Sequence, residues 1–235
     1  MPDYTRLLRS SRGALLVAMM GAAGLAVQVS NGIAQSKLTQ SKPITIVAFG
    51  DSLSAGYQLP LDKAFPVQLE AALKAKGHAV KVVNAGVSGD TTAAGLDRLA
   101  WAVPPEADAV IVELGANDAL RGLNPKAARS NLDKILTTLA VDKKDLLVAG
   151  MRTPGNMPPV YRENFDRIFP DLAAKHGALL YPFFLEKVAM QPKLNLADGI
   201  HPTGDGIALI VADILPLVEK LIERVKVRRG EKTGG

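Results

Sequence analysis

Five short apolar runs, alternating with segments of helical periodicity, constrain the fold of this chain more than any other feature. The runs are rich in β-branched residues and are bounded by glycine or polar residues, which predicts buried strands. They are Ile44–Phe49, Val80–Asn84, Ala109–Leu114, Asp145–Met151 and Ala178–Tyr181. Because strands that alternate with helices pair in parallel and are covered on both faces, the sequence predicts a three-layer α/β/α fold around a five-stranded parallel sheet.

The last helical segment has the clearest amphipathic pattern. Its apolar residues recur at intervals of three and four, and they are Ile207, Ile210, Val211, Ile214, Leu217, Val218, Leu221, Ile222 and Val225. Pro216 lies inside this pattern and is expected to kink or divide the helix. A basic cluster from Arg224 to Lys232 follows. Interaction with the helix dipole and contact with anionic lipid would both account for such a cluster.

The N-terminal region has the order of a secretory signal. Three arginines from Arg6 to Arg12 precede an apolar stretch over residues 13–27, and the small residues Gly32 and Ala34 follow. An uncleaved membrane anchor is the alternative, but the apolar stretch is shorter than the about 20 residues that a membrane span needs. The sequence therefore predicts cleavage after Ala34 and an exported protein, either periplasmic or secreted.

Composition and length indicate a single domain after this leader. The predicted boundaries are a signal peptide at 1–34, a short linker at 35–42, one α/β domain at 43–228 and a flexible tail at 229–235. The net charge of +5 over 235 residues is too small to indicate a nucleic-acid partner. The chain has no cysteine, which excludes a disulfide, a thiolate nucleophile and a lipid-modified cysteine.

Glycine and polar side chains follow three of the predicted strands and precede the last helix. These four stretches are Gly50-Asp51-Ser52, Ser88-Gly89-Asp90, Asn117-Asp118 and Asp198-Gly199-Ile200-His201. The carboxyl ends of parallel strands share one edge of the sheet, where ligands bind in α/β proteins, so we expect one site there. Taken alone, Gly50-Asp51-Ser52 is typical of a turn that merely leaves a strand and caps a helix.

A serine hydroxyl needs a positioned base to become a nucleophile at neutral pH. Of the three histidines, His78 and His176 lie beside glycine where helices are expected to end, which favours a structural role. His201 follows Asp198 by three residues, so the carboxylate can fix one ring nitrogen and leave the other facing Ser52. A satisfied core histidine before a proline is the alternative for His201.

Several of these phrases together resemble the SGNH branch of the GDSL hydrolase family, in particular its group of bacterial periplasmic acyl thioesterases, lysophospholipases and arylesterases. The phrases span most of the chain after the leader and are Gly50-Asp51-Ser52-Leu53-Ser54-Ala55-Gly56-Tyr57, Val112-Glu113-Leu114-Gly115, Asn117-Asp118, Leu120-Arg121-Gly122 and Asp198-Gly199-Ile200-His201-Pro202. The resemblance implies a flavodoxin-like sheet, with Ser52 as nucleophile and Asp198 and His201 as its triad partners. It also implies that the backbone of Ser52 and Gly89 and the side chain of Asn117 form the oxyanion hole.

The expected reaction is hydrolysis of aryl and alkyl esters, acyl thioesters and lysophospholipids through an acyl-enzyme, without cofactor or metal. We expect a monomer that acts on small molecules and keeps no stable membrane anchor. Two apolar loops, at residues 119–123 and 153–160, are expected to line the acyl site. The candidate substrate-binding residues are Asp51, Leu120, Arg121, Pro154 and Met157.

Other functions are compatible with parts of this pattern. A carbohydrate O-acetylesterase could use the same scaffold, and an exported binding protein could have lost catalysis. A metal site for phosphoester hydrolysis could use Asp51, Asp118, Asp198 and His201, but it would leave Ser52 unexplained. The α/β-hydrolases share the chain order Ser, Asp, His, yet their Gly-x-Ser-x-Gly elbow is absent around Ser52.

Overall fold

A computed structural model describes residues 42–231 and contains the predicted five-stranded parallel sheet. The strands are β1 (Ile44–Gly50), β2 (Val80–Gly86), β3 (Ala109–Glu113), β4 (Asp145–Ala149) and β5 (Leu179–Tyr181). Their order in the sheet is β2-β1-β3-β4-β5, and every neighbouring pair is parallel. Strand β2 lies on one side of β1, and β3 lies on the other side. The strand order therefore changes direction between β1 and β3, which creates a ligand crevice at their carboxyl ends.

Eight α-helices connect and cover these strands in residues 42–231. They are α1 (Ser52–Ala55), α2 (Phe65–Ala75), α3 (Thr92–Ala102), α4 (Ala116–Leu120), α5 (Pro125–Val141), α6 (Pro159–Asp166), α7 (Ile168–His176) and α8 (Gly204–Arg229). Helices α2 and α8 pack together on one side of the sheet, and α5 packs with α3 and α7 on the other. Within the described range, no helix has the length and apolar content that a membrane span requires.

The central strands explain why the sequence shows continuous apolar runs. All residues of β1 and β3 are buried, as expected for parallel strands that helices cover on both faces. The edge strand β2 alternates between buried and accessible positions at its start and extends two residues past its predicted end. Ala85 and Gly86 continue the ladder because they pair with Phe49 and Gly50 of β1.

Helix α8 runs from Gly204 to Arg229 without interruption, so of the two expected effects of Pro216, a kink or a division, the division is wrong. Pro216 is exposed, and so is Ala212, whose carbonyl loses its intrahelical partner. Water can therefore satisfy that carbonyl, which lowers the cost of a proline inside the helix.

The basic end of α8 binds the body of the domain. Arg228 Nε lies 2.9 Å from Asp145 Oδ2, and Arg229 Nη2 lies 2.6 Å from Asp108 Oδ2. Arg229 therefore ends the folded domain instead of beginning a tail. The predicted signal peptide, most of the linker and residues 232–235 lie outside the described residues.

Candidate active site

Ser52 lies at the point where β1 ends and α1 begins. It is the first residue of this four-residue helix and is 9% exposed. Asp51 caps the helix, since its Oδ1 accepts a hydrogen bond of 3.0 Å from the backbone N–H of Leu53. The sheet and the cap together fix the direction in which the Ser52 hydroxyl points.

His201 joins Ser52 to Asp198 by two short contacts. Its Nε2 lies 2.9 Å from Ser52 Oγ, and its Nδ1 lies 2.7 Å from Asp198 Oδ2. The other carboxylate oxygen of Asp198 accepts backbone N–H groups of His201 and Ile200 at 3.0 and 2.9 Å. These backbone hydrogen bonds, with the imidazole, lower the pKa of Asp198 to about 2. An ionised Asp198 can hold the tautomer of His201 in which Nε2 accepts the serine proton.

Local structure presents His201 to Ser52. The backbone carbonyl of His201 accepts a 2.7 Å hydrogen bond from Leu196, and Gly199 takes a positive φ of 70° in the turn. Thr203 then caps α8 through its side chain. The Tyr57 ring covers the imidazole, with ring centroids 4.5 Å apart. The hydrogen bond from Leu196, the cap at Thr203 and the Tyr57 ring therefore hold the turn in place.

Three donors lie on the elements around the Ser52 hydroxyl. The backbone N–H groups of Ser52 and Gly89 donate to no protein acceptor within residues 42–231. Asn117 Nδ2 donates one hydrogen bond to Asp51 Oδ2, at 3.1 Å, and its second N–H takes no part in that hydrogen bond. Gly89 has a φ of 87°, a conformation that favours glycine, and its carbonyl accepts a 2.9 Å hydrogen bond from Arg121.

A cleft of about 470 Å³ opens beside Ser52 and His201. Of the candidate substrate-binding residues, Leu120 and Pro154 line it, whereas Asp51, Arg121 and Met157 do not. Asp51 has no exposed surface, so its assignment to substrate binding is corrected. Arg121 is directed to the Gly89 carbonyl, and Met157 packs near Gly122.

Sequence reasoning missed one wall of this cleft. Phe183, Leu185, Ala189 and Met190 line it, and they belong to the irregular segment that follows β5. The apolar stretch Phe183-Phe184-Leu185 immediately after the last strand was the available signal. The segment has no helical or strand periodicity, so its direction could not be inferred from the pattern.

The residues of the alternative metal site are not gathered in one place. Asp118 accepts hydrogen bonds from the backbone and hydroxyl of Thr92, at 2.8 and 2.7 Å, instead of facing Asp198. In residues 42–231, no group of three or more His, Asp or Glu side chains is placed to hold a metal ion. His78 and His176 contact Glu219 and Asp133, away from the cleft, which fits their structural interpretation.

A pair of buried carboxylates lies behind the nucleophile. Asp51 and Glu113 are both fully buried, and Glu113 Oε2 accepts a 3.3 Å hydrogen bond from the backbone N–H of Asp51. Burial raises the pKa of Asp51 to about 6, against the hydrogen bonds from Leu53 and Asn117. Burial and the nearby Asp51 carboxylate raise the pKa of Glu113 well above its ordinary value.

This pair predicts that Glu113→Gln flattens the pH dependence of stability. A carboxyl whose folded pKa is raised stabilises the fold fully below its unfolded pKa, near 4.5, and loses that contribution as pH rises towards the folded pKa. The free energy of unfolding of the native protein should therefore fall by up to about 1.4 kcal/mol per pH unit in this range, a slope that the variant lacks. Urea denaturation across a pH series measures this difference. The exposed Glu106→Gln is the matched control, and identical slopes in both variants would contradict the prediction.

A serine hydroxyl, an imidazole and a carboxylate in series, at the carboxyl edge of a doubly wound sheet, are the arrangement found in hydrolases of the acyl-transfer class. Residues 48–209 match the GDSL-like Lipase/Acylhydrolase family, and the chain belongs to that family. The sequence-based prediction of the family is thereby confirmed.

Curated relatives and solved structures agree with this assignment. The chain is 42% identical over 158 residues to an arylesterase of Vibrio mimicus, covering 67% of this chain and 79% of the relative. It is 40% identical over 162 residues to the thioesterase 1/protease 1/lysophospholipase L1 of Escherichia coli, covering 68% of this chain and 76% of the relative. The crystal structure of AlinE4, an SGNH-hydrolase family esterase, superposes with a TM-score of 0.66 at 46% identity, covering 77% of this chain and 98% of that one.

Proposed function

We propose that this protein is a serine esterase in which Ser52 is the nucleophile, His201 the general base and acid, and Asp198 the orienting carboxylate. The observation that carries the proposal is the continuous contact from Ser52 Oγ through both nitrogens of His201 to Asp198, at 2.9 and 2.7 Å. Family membership supports carboxylic ester hydrolysis as the reaction class.

The reaction proceeds in two acyl-transfer steps. Ser52 Oγ attacks the ester carbonyl while His201 Nε2 takes the hydroxyl proton and then delivers it to the departing alcohol or thiol. Water, deprotonated by the same nitrogen, hydrolyses the acyl-enzyme and returns the proton to Ser52. The negative oxygen of each tetrahedral intermediate accepts from the N–H groups of Ser52, Gly89 and Asn117.

The cleft supports substrates with an apolar acyl or aryl group. Much of its wall is aliphatic or aromatic, and it includes Leu53, Leu120, Phe183, Leu185, Met190 and Ile200. We propose aryl and alkyl esters, acyl thioesters and lysophospholipids as the substrate range, which also agrees with the names of the relatives. A carbohydrate O-acetylesterase would need more polar contacts to a sugar ring than this wall offers.

Export and a monomeric state complete the proposal. The basic, apolar and small-residue order of residues 6–34 supports cleavage of a signal peptide and a periplasmic or secreted location. The Ser52–His201–Asp198 contacts are complete within one chain, so a monomer needs no group from a second subunit to act on small molecules.

Hydrolysis of a chromogenic ester series with acyl chains from acetyl to long-chain tests the substrate proposal. We expect turnover to persist into medium or long chains and to be unchanged by a metal chelator, because an apolar wall binds longer chains more tightly. Hydrolysis confined to acetyl esters would favour sugar deacetylation instead. Ligand binding without any turnover would identify an idle binding protein, and chelator sensitivity would favour metal chemistry.

A further inference from the structure

Glu113 is a buried carboxylate at the active site that the proposed reaction does not use. It is the last residue of β3, has no exposed surface and pairs in the sheet with Gly50 of β1. A Cβ at position 50 would lie 2.4 Å from Glu113 Oε2. The glycine therefore makes room for a carboxylate directly behind the nucleophile turn.

The contacts of Glu113 and Asp51 differ in strength. Glu113 Oε2 accepts from Ser54 Oγ at 2.7 Å and from the Asp51 backbone at 3.3 Å, while Glu113 Oε1 has no partner among the described residues. Asp51 uses both of its oxygens, since Oδ1 accepts from the Leu53 backbone at 3.0 Å and Oδ2 from Asn117 Nδ2 at 3.1 Å. The charged form is thus better stabilised on Asp51 than on Glu113.

The surrounding charges do not neutralise both carboxylates. His201 favours ionisation of Asp51 and Asp90 opposes it. Arg98 reaches the end of β1, but it pairs with Asp90 and donates to the carbonyls of Gly50 and Ala85. Two adjacent buried carboxyls without a directly bonded cation share one proton, because ionising both is costly.

We propose that Glu113 is a positioning residue that carries the proton of this pair, which keeps Asp51 ionised and able to hold the Asn117 amide. Asp51 accepts from Asn117 Nδ2, and Arg121 Nη2 lies 3.4 Å from Asn117 Oδ1 at the other end of the same amide. These contacts orient the second N–H of Asn117 for the oxyanion. The inference rests on the proposed function, since it requires Asn117 to serve as an oxyanion donor.

Two variants that each remove one carboxylate from the pair test this assignment. Glu113→Gln keeps a neutral side chain of the same size, so kcat should stay within about threefold of native, whereas Asp51→Asn removes the charge that orients Asn117 and should lower kcat by about 10²-fold. KM should change little in either variant. In an Asn117→Ala background, Asp51→Asn should cost less than about threefold, because both act through one donor. Equal losses in the two single variants, or an undiminished loss in that background, would overturn the proposal.

Infrared spectroscopy locates the proton without relying on a variant that must fold. At neutral pH the native protein should show the carbonyl stretch of a protonated carboxylic acid, and this band should shift on carbon-13 labelling of glutamate but not of aspartate. A shift with aspartate labelling, or no such band, would overturn the inference. If Ser52→Ala remains active, the proposed function fails; if Ser52→Ala is inactive while the glutamate band is missing, only the role of Glu113 fails.

Discussion

Replacement of Ser52 by alanine should lower kcat by about 10⁶-fold, the loss that follows removal of the nucleophile in a serine protease. Ser52 Oγ is the only hydrogen-bond partner of His201 Nε2 within the described residues, so no other hydroxyl is placed to replace it. Residual turnover should come from the oxyanion donors and substrate binding alone. Initial rates on a chromogenic ester at high enzyme concentration measure the effect.

The matched control is Ser130→Ala, which changes an exposed serine of α5 that does not line the cleft. It should retain native activity. Because nucleophile and base act as one unit, adding His201→Ala to Ser52→Ala should cause little further loss. Hydrolysis within tenfold of native in Ser52→Ala would show that the serine is not the nucleophile.

Asp198→Asn should lower kcat by about 10⁴-fold, as loss of the orienting carboxylate does in a serine protease, with a much smaller change in KM. The asparagine can still accept the backbone N–H groups of Ile200 and His201, so the turn should keep its shape. It cannot stabilise the imidazolium that forms during attack, and it permits the wrong tautomer of His201. Steady-state kinetics with circular dichroism as a check on folding test this result.

The exposed Asp205→Asn, in the first turn of α8, is the matched control and should remain active. A loss of less than tenfold in Asp198→Asn would mean that another group orients His201. The pKa of Asp198, near 2, also predicts that this carboxylate stays ionised through mild acid. Its contribution to stability is present above its unfolded pKa of 3.8 and disappears only as pH falls towards 2.

The main elements of the fold were predictable because their signals are local. β1 and β3 are buried on both faces, so their sequences are apolar except at Thr45 and Glu113, and the predicted starts Ile44 and Ala109 are correct. Strand ends were less predictable because they depend on the partner strand, as the extension of β2 to Gly86 illustrates. The expectation that Pro216 divides α8 was wrong, because the exposure of the Ala212 carbonyl is a tertiary property that the sequence pattern does not show.

The candidate site divides in the same way. Four short motifs identified Ser52, Gly89, Asn117 and the Asp198–His201 pair, and the structure brings Ser52, His201 and Asp198 into direct contact. Their catalytic roles remain predictions. The apolar wall at residues 183–190 and the burial of Asp51 were not predictable, since neither follows a periodic pattern.

The sequence by itself determined the alternation of strands and helices, the family and the candidate residues of the site, because hydrophobic period and turn composition act over a few neighbouring residues. Only the tertiary structure decided which of those residues meet. Asp51 and Glu113 are 62 positions apart, and they form a pair because the sheet order places β1 beside β3. Ser52 and His201 are 149 positions apart and meet because the turn that precedes α8 lies at the carboxyl end of β1, while α8 itself packs on one face of the sheet.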